Sequence, residues 1–146
     1  MIEHIFSVVC SAISIDAETN AISLFKVLEQ LNIFTDSDQP LRIPIHFEIL
    51  SLWTRCFSDT PCRGKMRVTY CTPLNAQKQH AEMDIDLSQA TNYRSRIISE
   101  GLELTGPGRY QFVIELQQEN DPTWVQVANL PVMVIYQSPP PVVQPQ

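Results

Sequence analysis

A chain of 146 residues, 44% hydrophobic and 18% charged, is long enough for one domain with its own core and too apolar to be a disordered segment. Its formal net charge of −6 repels phosphate backbones and argues against nucleic-acid binding. Four glycines against eleven prolines leave proline to do much of the punctuation.

The first segment, Ile2 to Ile15, is rich in Ile and Val with Ser interleaved, which favours a strand over a helix. It is expected to be a first strand rather than a secretory leader, because it lacks a basic start and carries Glu3 there instead. Asp16 to Asn20 is polar and turn-like. Ala21 to Phe34 is ambiguous between strand and helix: Leu24, Val27, Leu28 and Leu31 fall at helical spacing. A strand through about Leu28, hairpinned back along the first, is favoured because it hides both apolar faces.

Thr35 to Pro40 is a loop. In Arg42 to Thr54, Pro44 marks an edge or a strand start. Ile45, Phe47 and Ile49 then share one face, with His46, Glu48 and Leu50 on the other. Arg55 to Gly64 is the longest irregular stretch. Lys65 to Cys71 alternates charge against Met66, Val68 and Tyr70. After a turn at Thr72 to Asn75, Gln79 to Leu87 alternates Ala81, Met83, Ile85 and Leu87 inward against His80, Glu82, Asp84 and Asp86 outward. Ser88 to Tyr93 connects to a strand from Arg94 to Leu104 with a bend at Gly101.

A hairpin closes the domain, its two long apolar runs flanking the polar stretch from Gln117 to Pro122. Gly106-Pro107-Gly108 is a tight turn, and Tyr110 is placed to bond its hydroxyl to a nearby loop, as in a tyrosine corner. This predicts an all-β antiparallel sandwich of about seven to eight strands over residues 1–137. A proline-rich tail follows over 138–146, expected to extend from the surface as a polyproline-II-like segment.

With these elements in place, the chain resembles a bacterial family of small uncharacterised immunoglobulin-like β-sandwich proteins. The resemblance rests on VVCSAISIDAETNAISLFKVLE (Val8 to Glu29), on LTGPGRYQFVIEL (Leu104 to Leu116), and on the Ala-x-Leu-Pro-Val step of WVQVANLPVMVIY. It implies an immunoglobulin-like fold and no established activity, catalytic residue or ligand. The proline tail and the Cys-containing Arg55 to Gly64 loop stand outside it.

Chemistry is thinly represented. Cys56 and Cys62 are separated by five intervening residues, unlike the two of zinc knuckles, and Cys10 and Cys71 read as small core residues. His4, His46 and His80 make no metal motif, and no nucleophile elbow is present. Glu82, Asp84 and Asp86 share a strand face that reads as a solvated acidic surface rather than a calcium site. Arg55, Arg63, Lys65 and Arg67 form a local basic cluster. Trp53 and Trp124 are expected in the core, and mark an interface wherever exposed.

The expectation is therefore a non-enzymatic protein-binding or assembly module without cofactor or metal. It acts through loops or an exposed edge strand, self-association included. Its candidate contacts are Arg55, Arg63, Lys65, Trp53 and Trp124, together with the 117–122 tip and the proline tail. No apolar run reaches the roughly 20 residues that span a bilayer. With no membrane or nucleic-acid partner, the expected site of action is the cytoplasm with reduced thiols. The alternatives are a metal-dependent or thiol enzyme using the His and Cys residues, or a phage-like structural subunit.

Overall fold

A computed structural model describes residues 1–57, 59–142 and 145. Ser58 of the long loop and Val143, Gln144 and Gln146 of the tail lie outside the described residues. The described chain forms nine strands and no helix: β1 (Ile2–Ile15), β2 (Ile22–Val27), β3 (Gln30–Phe34), β4 (Leu41–Arg55), β5 (Cys62–Cys71), β6 (Gln77–Leu87), β7 (Asn92–Leu104), β8 (Gly108–Gln118) and β9 (Trp124–Gln137). They make a two-sheet sandwich, one sheet ordered β2-β1-β4-β7 and the other β3-β9-β8-β5-β6. All neighbours run antiparallel except β3 and β9. Past Gln137, residues 138–142 and 145 carry no strand or helix.

The all-β sandwich agrees with the alternation read from the sequence, and the extra strand has a local cause. Ala21 to Phe34 is extended rather than helical, but it divides between the two sheets. β2 returns along β1 as a hairpin. The chain then crosses over: the Leu28 amide donates to the Val9 carbonyl in the first sheet, and the Glu29 carbonyl accepts from Met133 in the second. Leu28 and Leu31 owe their helical spacing to this crossing, since both pack against the core from opposite sides of it. At the other end a side chain ties the sheets together. The Gln118 amide on β8 accepts from the Ile2 amide (2.9 Å) and donates to the Ile2 carbonyl (2.8 Å).

The core lies where the alternation places it. Phe47, Ile49, Met66, Val68, Tyr70, Ile85, Leu87, Phe112 and Ile114 are buried between the sheets. Their rings interlock, with Phe47 and Phe112 centroids at 5.6 Å and Tyr70 and Phe112 at 5.2 Å. Tyr110 forms the expected corner. Its hydroxyl donates to the Gly106 carbonyl (2.6 Å) and accepts from the Thr105 amide (2.9 Å). Pro44 sits inside β4, at a place where the ladders are already incomplete. β1 pairs with β4 only as far as Glu48, and the β4–β7 register shifts between Ile43 and His46, opposite Gly101 with its φ of 109°.

Candidate functional site

Strand pairing brings the predicted basic cluster and the predicted acidic stripe face to face. Along β5 and β6, Arg63 stands opposite Asp86, Lys65 opposite Asp84 and Arg67 opposite Glu82. Arg63 Nε lies 3.4 Å from Asp86. Arg67 makes a two-pronged contact with Glu115 of β8, at 2.9 and 3.1 Å, and its guanidinium covers the half-buried Trp124 ring at 4.3 Å. The Ser88 hydroxyl and amide, and then Arg63, hold the Asp86 carboxyl below the usual carboxylate range. Over β5, β6 and the adjoining part of β8 the outer face of the five-stranded sheet thus sets each cation against a carboxylate, and no cluster of one sign stands alone for a phosphate or a hard cation.

Arg63 and Lys65 do meet the 117–122 tip, around an open cleft of about 620 Å³ that Asp84 and Asp86 also line. Arg55 stands apart, its Nε donating to the Leu87 carbonyl at 2.8 Å. Trp53, expected from the sequence as a candidate contact, is not one. It is 0% exposed in the core and offers no contact surface.

Two histidines turn inward. His4 Nε2 lies 2.7 Å from Ser7 Oγ, which is 2.6 Å from Ser51 Oγ, and Trp53 Nε1 donates to Ser95 Oγ at 2.9 Å. Ser7, Ser51 and Ser95 stand side by side on β1, β4 and β7. They form a polar row, buried at Ser51 and Ser95 and half-buried at Ser7, that the sequence signals only as serine at inward positions of apolar strands.

His80 was expected outward. A register shift between β5 and β6 places an extra residue there, and the ring swings inward. It stacks on Phe47 at 5.9 Å, meets Phe112 edge-on, and bonds Ser99 Oγ at 2.7 Å across to β7. Above it is a cleft of about 450 Å³ with Tyr70, Lys78 and Glu103 in its wall. His46 stays outside, paired with Glu100.

Burial lowers the pKa of His4, and burial and then Lys78 lower that of His80. The sign of the effect on stability follows. The unfolded chain binds these protons near the ordinary value of 6.5, whereas the folded chain binds them only at lower pH. Their contribution is full above pH 6.5 and is lost as pH falls toward the lowered folded values. Thermal unfolding followed by circular dichroism is expected to show a lower midpoint near pH ~5 than near pH ~7.5, and the drop shrinks in His80→Gln. An unchanged midpoint across that window contradicts the buried placement of both rings.

The four cysteines are unbonded. Cys10 and Cys71 are buried small residues, as expected from the sequence, and they lie on strand faces turned away from the inter-sheet cluster. Burial raises both thiol pKa values, and a hydrogen bond from Cys56 to Glu3 raises that of Cys56. Such thiols stay protonated near neutral pH and are weak nucleophiles. Among the described residues no group of three or more His, Cys, Asp or Glu is arranged to hold a metal ion, and no helix is long and apolar enough to cross a membrane.

The outer face of the four-stranded sheet is different, and no single segment of the sequence signals it. Pairing places Phe6 beside Leu52, Val8 beside Leu50, Val27 and Glu48 on either side of Cys10, and Phe25 beside Ala12. This continuous apolar surface turns away from the core. Phe25 is 51% and Val27 55% exposed, while Leu50 at its centre is fully covered by its neighbours. On β7 the outward residues are Arg94, Arg96, Ile98 and Glu100. Arg96 reaches back to Glu48 at 2.5 Å, so a nearly buried carboxylate lies within the patch. An apolar centre with a charged margin is the anatomy of a protein–protein contact.

No family model matches the chain, and no curated protein matches it. Among solved structures it overlays on a β-glucosidase from Listeria innocua in complex with glucose, with 10% identity and a TM-score of 0.52. A second structure of β-glucosidase from Listeria innocua overlays with 11% identity and a TM-score of 0.48. The overlays cover 92% and 94% of this chain but only 16% of either β-glucosidase chain. At such identity the first likeness is one of fold: a two-sheet β-sandwich.

Proposed function

We propose that this chain is a non-catalytic protein-binding or assembly module that docks a protein partner on the outer face of its four-stranded sheet. The observation that carries this reading is the contrast between the two outer faces. One is a ladder of matched charges; the other is apolar, with Phe25 and Val27 more than half exposed. Leaving such a face in water forgoes roughly 25 cal/mol for every Å² that a partner would cover. The basic residues of β5 are a weaker route, since Arg63 and Arg67 are already engaged by carboxylates. Cytoplasmic action fits the four unbonded thiols, and we group the chain with the small bacterial sandwich proteins it resembles.

An enzymatic reading has less support, because the His80–Ser99 pair is joined to no acid and serves to link the two sheets. The test is photo-crosslinking in host cells, with a benzophenone amino acid in place of Phe25 or, on the opposite sheet, Val125. A protein adduct at position 25 and none at 125 is the expected result. No adduct at 25 ends the docking proposal.

A further inference from the structure

The four-stranded sheet ends in β7, whose far edge pairs with no other strand among the described residues. From Asn92 to Glu100 its ladder with β4 is unbroken, and the last five of these residues, Arg96 to Glu100, form a straight edge that stops short of the bend at Gly101 and can receive another strand. The other edges are poorer templates for a second copy. β2 is interrupted by Lys26 at a φ of 52°, β3 has five residues, and β6 carries the His80 irregularity and three like charges on one face.

The outward residues of β7 read Arg94, Arg96, Ile98, Glu100: basic, basic, apolar, acidic. This order is complementary to itself when reversed. Turned about a two-fold axis at Ile98, a second β7 sets Arg96 of each copy opposite Glu100 of the other, with the two Ile98 side chains meeting on the axis. Ile98 is 58% exposed and has only Glu48 beside it on β4. The Glu100 side chain is 72% and that of Arg96 36% exposed. A guanidinium has five donors and a carboxylate about four acceptor sites, so each serves a second partner while keeping its own.

We propose that the chain forms a two-fold dimer through antiparallel β7–β7 pairing centred on Ile98, joining two four-stranded sheets into one of eight strands. The dimer sets two copies of the apolar face side by side. It deepens the assembly reading but rests on a different strand from the Phe25 surface.

Light scattering coupled to size exclusion is expected to report twice the 16.6 kDa mass of one chain. Ile98→Lys and Glu100→Lys, each placing like charges across the axis, weaken the dimer at least about tenfold, whereas Val125→Lys does not. Ile98→Cys gives a covalent dimer on mild oxidation, because residues on the axis face each other within disulfide reach, while the wild type does not. A monomer at every concentration overturns the dimer and leaves the adduct at position 25 to decide docking by itself. A dimer unaffected by Ile98→Lys, or one not captured through Ile98→Cys, also overturns it.

Discussion

Replacing Trp53 with alanine is expected to lower the unfolding free energy by about 3–5 kcal/mol. Whole domains are stable by only roughly 5–15 kcal/mol, so this single change removes a large share of the chain's stability. Trp53 is fully buried on the inner face of β4, where His4 meets its ring edge-on at 5.1 Å. Truncation leaves a cavity the size of an indole in a sheet held on both sides by β1 and β7, so little collapse can fill it. It also removes the donor to Ser95 Oγ in the serine row. Trp53→Phe separates the two contributions: it keeps most of the apolar volume and loses the hydrogen bond, at about 1–3 kcal/mol. Urea unfolding monitored by circular dichroism is the measurement. A cost for Trp53→Ala near that of an ordinary surface substitution, about 0.5 kcal/mol or less, is incompatible with its place in the core.

The second large effect concerns the ion pair within the apolar face. Arg96→Met leaves the Glu48 carboxylate, whose side chain is 3% exposed, without its partner among Cys10, Leu50 and Ile98. Breaking a fully buried pair costs about 3–5 kcal/mol. Because Arg96 itself reaches solvent, the expected loss here is about 2–4 kcal/mol. The double variant Glu48→Leu, Arg96→Met removes both charges and recovers most of that loss, because an apolar pair of similar volume needs no partner. Denaturation midpoints of the two single variants and the double variant complete the cycle. A double variant no more stable than Arg96→Met places the cost in lost packing rather than in the stranded charge.

Much of the fold was legible because it depends on side chains alternating along single segments. Met66, Val68 and Tyr70, or Ile85 and Leu87, are buried as their spacing requires. The Tyr110 corner followed from the turn just before it. The misreadings share a different cause. His80 kept the outward parity of its neighbours on paper, and only the extra residue in β6 opposite β5 reversed it. Trp53 appeared among the contact candidates because position near a strand end says nothing about which sheet covers it. Arg63, Lys65 and Arg67 looked like a basic cluster, and Glu82, Asp84 and Asp86 like an acidic one. Each set was read along its own strand, and the register that opposes them belongs to neither strand alone.

Phe6, Leu50, Phe25 and Ile98 were hidden for the same reason. They come from four strands spread over nearly a hundred residues, and each is an ordinary apolar position in its own segment. The sequence by itself determined that the chain is extended, layered and oily on alternate positions, because the two-residue period of a strand is a local property. Only the tertiary structure decided which strands are neighbours, where Leu28 hands the chain from one sheet to the other, and which outer face is charged or bare. Those outcomes depend on pairing between distant segments, and short-range spacing carries no record of it.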